Sequence, residues 1–502
     1  MMAESNNWSE LPVELLCMVD QRLFKLKDAI RFRATCKSWR RTLNSDRGGK
    51  FRQSLPWLML PYCSGDANSM MAAEGCKGSD SCRRFFDVAE QKFHHIELPQ
   101  VLDKTTCRGS AFGWVLTLQR TPLMFLLNPL TGDQIALPPI TSFPDVLKFR
   151  PEKIGHEYLW LDGSGDKRAK GKKSFESGSI TKMALSADPA AGEKKDFVVM
   201  VIRRGLDDER LAFCRPRVEE ATWTLVPRLG PRPVAFTDVV FWRGQFYVLD
   251  NFFRLFVCDV SIAGGHPRLR LLIDRKRTTD LSENYYLSVS PTGDELMMVT
   301  RNIRYPEDED VHQHEDVGED VDHHVHLFPI PHDVEDDEAD RIAPDEDSDD
   351  ERRVDPEVSL DRRVQWTIRF KVFKLNEETK KWDEVRSIGE YALFLGFNTS
   401  TFVSARDHPE IVPNSIYFTD DMLDYHYKKL LGGSDMGIFS LSTGSVQPLY
   451  DVRSVHNNPQ FISPFPVWFL PSKFLFDVSH FLFSKRAFRV LRCRDGKLPT
   501  HG

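Results

Sequence analysis

Six times along this chain an apolar run meets a tight turn and is answered by a second run. This recurrence constrains the fold more than any other feature. The six stretches are Arg84–Leu98, Leu123–Leu137, Leu211–Val226, Leu255–Leu272, Thr367–Ile388 and Gly437–Leu449. Several turn on four residues, such as Pro129-Leu130-Thr131-Gly132 or Ser442-Thr443-Gly444-Ser445, a chemistry that closes β-hairpins. One or two further apolar runs precede each hairpin. The clearest is Asp238–Asp250, where Val239–Phe241 and Phe246–Leu249 flank a Trp242-Arg243-Gly244 turn. Phe112–Leu118, Phe197–Ile202, Tyr286–Val289 with Leu296–Thr300, and Tyr391–Phe397 with Ser415–Thr419 play the same part. Three or four strands per unit, with six units in succession, predict a mainly β fold, a six-bladed β-propeller. A β-sandwich is also built from many short strands, but rarely from so many residues. With 502 residues, 41% of them hydrophobic and 35 of them Phe, the chain can fill such a core. Trp242, Trp366, Trp382 and Trp468 are expected inside the blades.

The first fifty residues follow a helical period instead. Leu11, Leu15, Leu16, Val19 and Leu23 fall along one stripe. Pro12 suits a first helical turn, where its missing N–H costs nothing. Asp28 suits the N-cap of a second helix, which carries Ala29, Phe32, Cys36, Trp39 and Leu43 at steps of three and four. A unit this small with this much apolar surface needs a partner to cover it. The string LPVELLCMVDQRL followed by KDAIRFRATCKSWR resembles an F-box. The matching positions are Leu11, Pro12, Leu15, Leu16, Val19, Arg22, Leu23, Cys36, Lys37, Ser38, Trp39 and Arg40. Thr35 departs from the family's usual Val and weakens one apolar contact. The resemblance implies helix-in-groove docking onto a Skp-type adaptor of a cullin-RING ubiquitin ligase. Leu11, Pro12, Leu15, Leu16, Val19, Leu23, Ile30 and Trp39 would make or support that contact.

A second resemblance covers most of residues 57–471. The stretch GEYALFLGFNTSTFVSARDHPEIVPNSIYFTDD, then DMGIFSLSTGSVQPL and FPVWFLP, is similar to the kelch-like domain of unknown function 295 that follows the F-box in a large plant family. Ala392–Phe394, Gly396, Asn398, Ser400, Asn414–Asp421, Asp435–Gly437 and Trp468 carry the match, and Asn128-Pro-Leu-Thr-Gly also fits. The resemblance implies a substrate receptor whose propeller binds an unknown protein target. The expected organisation is an F-box over 1–50, the propeller over 51–471 and a helical tail over 472–502. A non-ligase F-box scaffold and a propeller enzyme, an oxidase or glycosidase, are the alternatives.

The net charge of −7 hides two regions of opposite sign. Pro306 to Pro356 holds 22 Asp or Glu against 3 Arg, a local charge of −19 that leaves +12 on the rest. Self-repulsion and few aliphatic residues predict a disordered insert there. Gly163–Gly178, rich in Gly, Ser and Lys, is expected to be a mobile basic loop. The +12 is spread along the chain, so it does not describe a nucleic-acid groove. Lys167-Arg-Ala-Lys-Gly-Lys-Lys could serve nuclear import or contact RNA, but a solvated loop is the simpler reading. No run of 18 apolar residues exists, so no membrane span is expected. Nine scattered Cys with no C-x-x-C pair argue for a reducing compartment, the cytoplasm or the nucleus, and against a zinc module.

Motifs for chemistry are scarce. No P-loop, G-x-G-x-x-G after a strand, H-E-x-x-H or G-x-S-x-G occurs, so no catalytic residue and no cofactor site is expected. Asp420-Asp421 invites an acid/base reading, but neighbours on a strand point to opposite faces, so a turn role is expected. His312, His314, His323, His324, His326 and His332 lie among the acidic residues. Their spacing matches no structural zinc motif, and adventitious metal uptake is the most that is expected.

Overall fold

The computed structural model describes residues 11–20, 32, 38–39, 55–60, 82–98, 100–101, 105–119, 121–151, 157–161, 167–171, 180–190, 196–204, 209–230, 234–260, 266–274, 283–304, 366–421, 435–450 and 466–470. Leu23, Ile30, the acidic stretch 306–356 and the tail 472–502 lie outside them.

Six blades follow one another round a ring. Blade 1 joins β1 (Trp57–Met59), β2 (Cys82–Asp87) and β3 (Lys92–Glu97) to a strand from the far end of the chain, β28 (Val467–Phe469), which pairs with β1. Blade 2 is β4 (Thr106–Ala111), β5 (Trp114–Leu118), β6 (Met124–Leu127) and β7 (Gln134–Leu137). Blade 3 is β11 (Ile180–Leu185), β12 (Val199–Arg204), β13 (Glu209–Cys214) and β14 (Thr224–Leu225). Blade 4 is β15 (Phe236–Trp242), β16 (Gln245–Asp250), β17 (Leu255–Asp259) and β18 (Arg268–Ile273). Blade 5 is β19 (Glu283–Val289), β20 (Leu296–Arg304), β21 (Trp366–Asn376) and β22 (Lys381–Val385). Blade 6 orders β24 (Thr401–Ser404), β23 (Tyr391–Leu395), β25 (Ser415–Phe418), β26 (Gly437–Ser440) and β27 (Val446–Pro448), with β23 and β25 parallel. The inner strands pack in sequence: β28 on β4, β4 on β11, β11 on β15, β15 on β19 and β19 on β24.

The inner and middle strands read as apolar runs because both of their faces are buried between blades, whereas outer strands such as β7, β18 and β27 are largely exposed. In β12, Val199 and Val201 join the core between blades 2 and 3, while Met200 and Ile202 join the core between blades 3 and 4. In β20, Leu296 and Met298 face blade 4, and Met297 and Val299 face blade 6. In β23, Leu393 and Leu395 face blade 5, and Ala392 and Phe394 face blade 1. A side chain of this size contributes about 1.5–3 kcal/mol when fully buried, so stability is shared between neighbouring blades. Trp242, Trp382 and Trp468 are buried in these cores as expected, and Trp366 opens β21.

All six sequence hairpins are the outer strand pairs of the six blades. Four of their turns share one construction. A side-chain oxygen at the first position accepts a backbone N–H from the turn, and the residue four places on has a positive φ. The pairs are Asp87 with Gln91 (φ 49°), Asn128 with Gly132 (φ 78°), Asn376 with Lys380 (φ 53°) and Ser440 with Gly444 (φ 72°).

One expectation needs correcting. The basic loop expected over 163–178 supplies a strand, β10 (Lys167–Gly171), which pairs with β9 (Glu157–Leu161) from Lys167↔Leu161 to Gly171↔Glu157. With β8 (Val146–Arg150) they form a three-stranded sheet between blades 2 and 3. Charge does not forbid a strand at a sheet edge, where Lys is well tolerated. Buried Tyr158 and Trp160 of β9 hold the template in place.

Replacing Trp468 by Ala is expected to cost about 3–5 kcal/mol in urea unfolding, as for a large aromatic removed from a core. Val446→Ala, on the edge strand β27 with the side chain exposed, is expected to stay within about 0.5 kcal/mol of wild type.

Candidate functional site

The axis of a propeller is where its inner strands can converge polar groups. Here the connection Gly396–Ser400, between β23 and β24, reaches across the inner strands of three other blades. Thr399 N–H donates to Ser110 O of blade 2 (2.8 Å), and Thr399 Oγ1 donates to Met183 O of blade 3 (3.2 Å). Ser288 Oγ of blade 5 donates to Ser400 O (3.1 Å), and Lys182 Nζ of blade 3 donates to Gly396 O. Gly396 is needed for lack of space: a Cβ there would collide with the Thr419 side chain and lie 3.2 Å from Asn398 Oδ1. The Asn398 amide braces the bend by donating to Phe394 O and Thr399 O.

Beneath this connection, Lys182 Nζ lies 3.7 Å from Asp238 Oδ1 and 5.0 Å from the Tyr286 ring centroid. Burial pushes the Asp238 carboxyl above the usual carboxylate range. Lys182 and the N–H groups of Leu287 (2.9 Å) and Val239 (2.8 Å) pull the other way. Beside it, Arg301 is fully buried and uses every nitrogen. Nε donates to Thr367 Oγ1 (2.8 Å), Nη1 to Thr419 O (2.9 Å) and Asp421 Oδ1 (3.0 Å), and Nη2 to Asp435 Oδ2 (2.9 Å). Tyr286 Oη donates to the same Asp421 oxygen (3.1 Å). Burial disfavours the Arg301 charge, but Tyr286, Asp435 and Asp421 more than offset this, so its pKa lies above the ordinary value. Burial, then Asp421, push the Tyr286 hydroxyl up as well.

Sequence reasoning missed this cluster. Arg301 lies in an apolar run, on the same face of β20 as Met297 and Val299, and a charge at a core-facing position signals a buried ion pair. The turn reading of Asp420-Asp421 does not hold. Asp420 is buried, and Asp421 is a partner of Arg301. Carboxylates, a lysine and a tyrosine therefore do converge, as an enzyme would require. Yet Lys182, Asp238, Arg301, Asp421 and Asp435 have side chains no more than 7% exposed and are committed to one another. What this arrangement does is lock blade 5 to both ends of the segment between β25 and β26.

The second candidate site is the N-terminal helix, α1 (Val13–Asp20). Its first turn closes through Leu16 N–H to Pro12 O (3.0 Å). Leu16 (1% exposed) and Trp39 (8%) form a small core with Leu11 and Phe32 packed against it, the Phe32 and Trp39 rings 4.7 Å apart. Val13, Leu15, Met18 and Val19 are 40–49% exposed along the same short helix. The expected docking residues thus divide: Leu11, Leu16 and Trp39 hold the helical unit together, while Pro12, Leu15 and Val19 face outward.

Comparison with known proteins decides the family. A model described as the KIB1-4 beta-propeller matches residues 85–440. The chain belongs to the KIB1-4 beta-propeller family. Its relatives include plant F-box proteins from Arabidopsis thaliana. F-box protein At4g35733 is 22% identical over 459 residues, covering 90% of this chain and 96% of the relative. F-box protein SKIP23 is 22% identical over 464 residues, covering 88% and 91%. F-box/kelch-repeat protein At3g18720 is 33% identical over a shorter 146 residues, 28% of this chain and 34% of the relative. Within this KIB1-4 propeller, no helix among the described residues is long and apolar enough to cross a membrane.

Arg301→Met tests the axial lock. It leaves Asp421 and Asp435 buried without their cation, and a cost of about 3–5 kcal/mol is expected in urea unfolding. Adding Asp421→Asn and Asp435→Asn is expected to recover part of that loss.

Proposed function

We propose that this KIB1-4 propeller protein is a substrate-recognition subunit of an SCF-type cullin-RING ubiquitin ligase. The observation that carries the reading is the outward apolar stripe of α1, Leu15, Met18 and Val19, which fall within about 100° of one another on the helix, held over a core of Leu16 and Trp39. An isolated stripe of this kind suits a hydrophobic groove, and the groove would belong to a Skp-type adaptor. The chain then divides into an F-box over 1–50, a propeller over 51–471 of the kelch-like type called domain of unknown function 295, and a tail over 472–502. It works in the cytoplasm or nucleus and carries out no chemistry of its own. It holds a protein target near the ubiquitin-charged partner, raising the effective concentration of target lysines. The target docks on a loop face of the propeller, where long connections vary most readily.

The mutually satisfied axial charges support a receptor over an enzyme, since catalytic groups must be open to a substrate. The test is co-purification of a Skp-type adaptor with a Leu15→Asp, Val19→Asp double variant. Loss of two anchor residues is expected to cost at least about 2 kcal/mol, near thirtyfold in affinity, while the propeller's unfolding midpoint stays unchanged. Undiminished adaptor binding by this folded variant contradicts the proposal.

A further inference from the structure

The hairpin β2–β3 of blade 1 carries a group that no part of the receptor reading uses. One ligand atom each from Asp87, Glu90 and His94 lies within 4.8 Å of the other two. The fold brings them together from three places. Asp87 ends β2, and strand pairing sets it opposite Lys92, with His94 opposite Phe85, so Asp87 and His94 are diagonal neighbours on one face. The turn, with Gln91 at φ 49°, returns Glu90 toward them. Asp87 divides its carboxylate: Oδ1 accepts N–H from Ala89 (2.8 Å) and Glu90 (3.2 Å), and Oδ2 faces His94 Nε2.

Two observations point to a metal ion rather than to turn construction. The first is the gap between Asp87 Oδ2 and His94 Nε2, 3.6 Å. That is too long for a hydrogen bond. Two ligand atoms each about 2.0–2.2 Å from a tetrahedral zinc ion lie about 3.4 Å apart. His94 Nε2 is shut off from solvent with no hydrogen-bond partner, and its ring is held by stacking on Trp57 (5.0 Å between centroids, 13° between planes). The second is an internal control. The three other turns of this construction start with Asn128, Asn376 and Ser440, have Thr131, Thr379 and Thr443 at the fourth position, and have Ile135, Asp383 and Gln447 at the eighth. A neutral oxygen suffices to build the turn, and only blade 1 combines Asp, Glu and His at these positions.

We propose that Asp87, Glu90 and His94 bind one divalent transition-metal ion of the zinc class, with water completing a tetrahedron. The ion would pin the outer hairpin of blade 1 to β1 through the Trp57–His94 stack, beside the strand pair that closes the ring. The proposal is independent of the receptor reading.

The test is titration of the chelator-treated full chain with Zn2+, and with Co2+ read by visible absorption. The wild-type chain is compared with Glu90→Gln and with His94→Gln. Glu90→Gln lies in the turn and leaves the core untouched, so it keeps the test valid should His94→Gln misfold. The expected result is one equivalent of tight binding in wild type, together with the intense cobalt absorption of a tetrahedral site. In Glu90→Gln that equivalent should weaken by about 100-fold or more, since outer-shell partners alone change metal affinity by about 10–100-fold. Weak uptake by the six histidines of 306–356 is common to all variants and cancels in the comparison. Equal stoichiometry, affinity and cobalt spectra in wild type and Glu90→Gln would overturn the assignment.

Discussion

The ring depends on one strand pairing. Val467, Trp468 and Phe469 lie in register with Met59, Leu58 and Trp57, and this three-residue ladder joins segments some four hundred positions apart in the chain. Without it blade 1 lacks its inner strand, and the cores on both sides of that blade lose Trp468 on one side and Val467 and Phe469 on the other. Ser110 Oγ adds a hydrogen bond from blade 2 to Trp468 O. Closing a loop of this length is entropically unfavourable, though the cost grows only slowly with length. Burial of a large aromatic and two apolar neighbours offsets it.

Once the ring is closed, its centre becomes a place where polar groups must be satisfied by protein. Gly396–Ser400 takes hydrogen bonds from Lys182 and Ser288 and gives them to blades 2 and 3. Arg301 then ties blade 5 to Thr419, Asp421 and Asp435 of blade 6. A buried ion cluster of this kind adds little net stability compared with apolar packing. What it fixes is geometry: Thr367, at the root of β21, holds the Asp435 end of the segment between β25 and β26, while Arg301 and Tyr286 hold the Asp421 end.

Much of this architecture was legible in the sequence because the outer strand pairs are local. Leu123–Leu137 and Gly437–Leu449 carry their turn chemistry within a few residues, so pattern alone found them. The rest depended on distant partners. The tripeptide of β28 has no local mate, and its place in blade 1 is visible only when Leu58 meets Trp468. The Gly, Ser and Lys around β10 predict a mobile loop, because the aromatic template in β9 that pairs with it counts only after pairing. Arg301 finds its carboxylates 120 and 134 positions later. Leu15 and Leu16, adjacent in one motif, part company because a helix turns 100° per residue: one becomes core and the other surface.

The closed propeller is the frame, and α1 is the surface by which, we propose, the chain joins its partner. Backbone hydrogen exchange on the full chain, free and bound to a Skp-type adaptor, tests both parts in one measurement. The predicted result is slowed exchange across residues 13–20 on binding, with β1 and β28 strongly and equally protected in both states. Unchanged exchange in 13–20 together with new protection on the blades, or rapid exchange in β1 and β28 while the other blades stay closed, would contradict it.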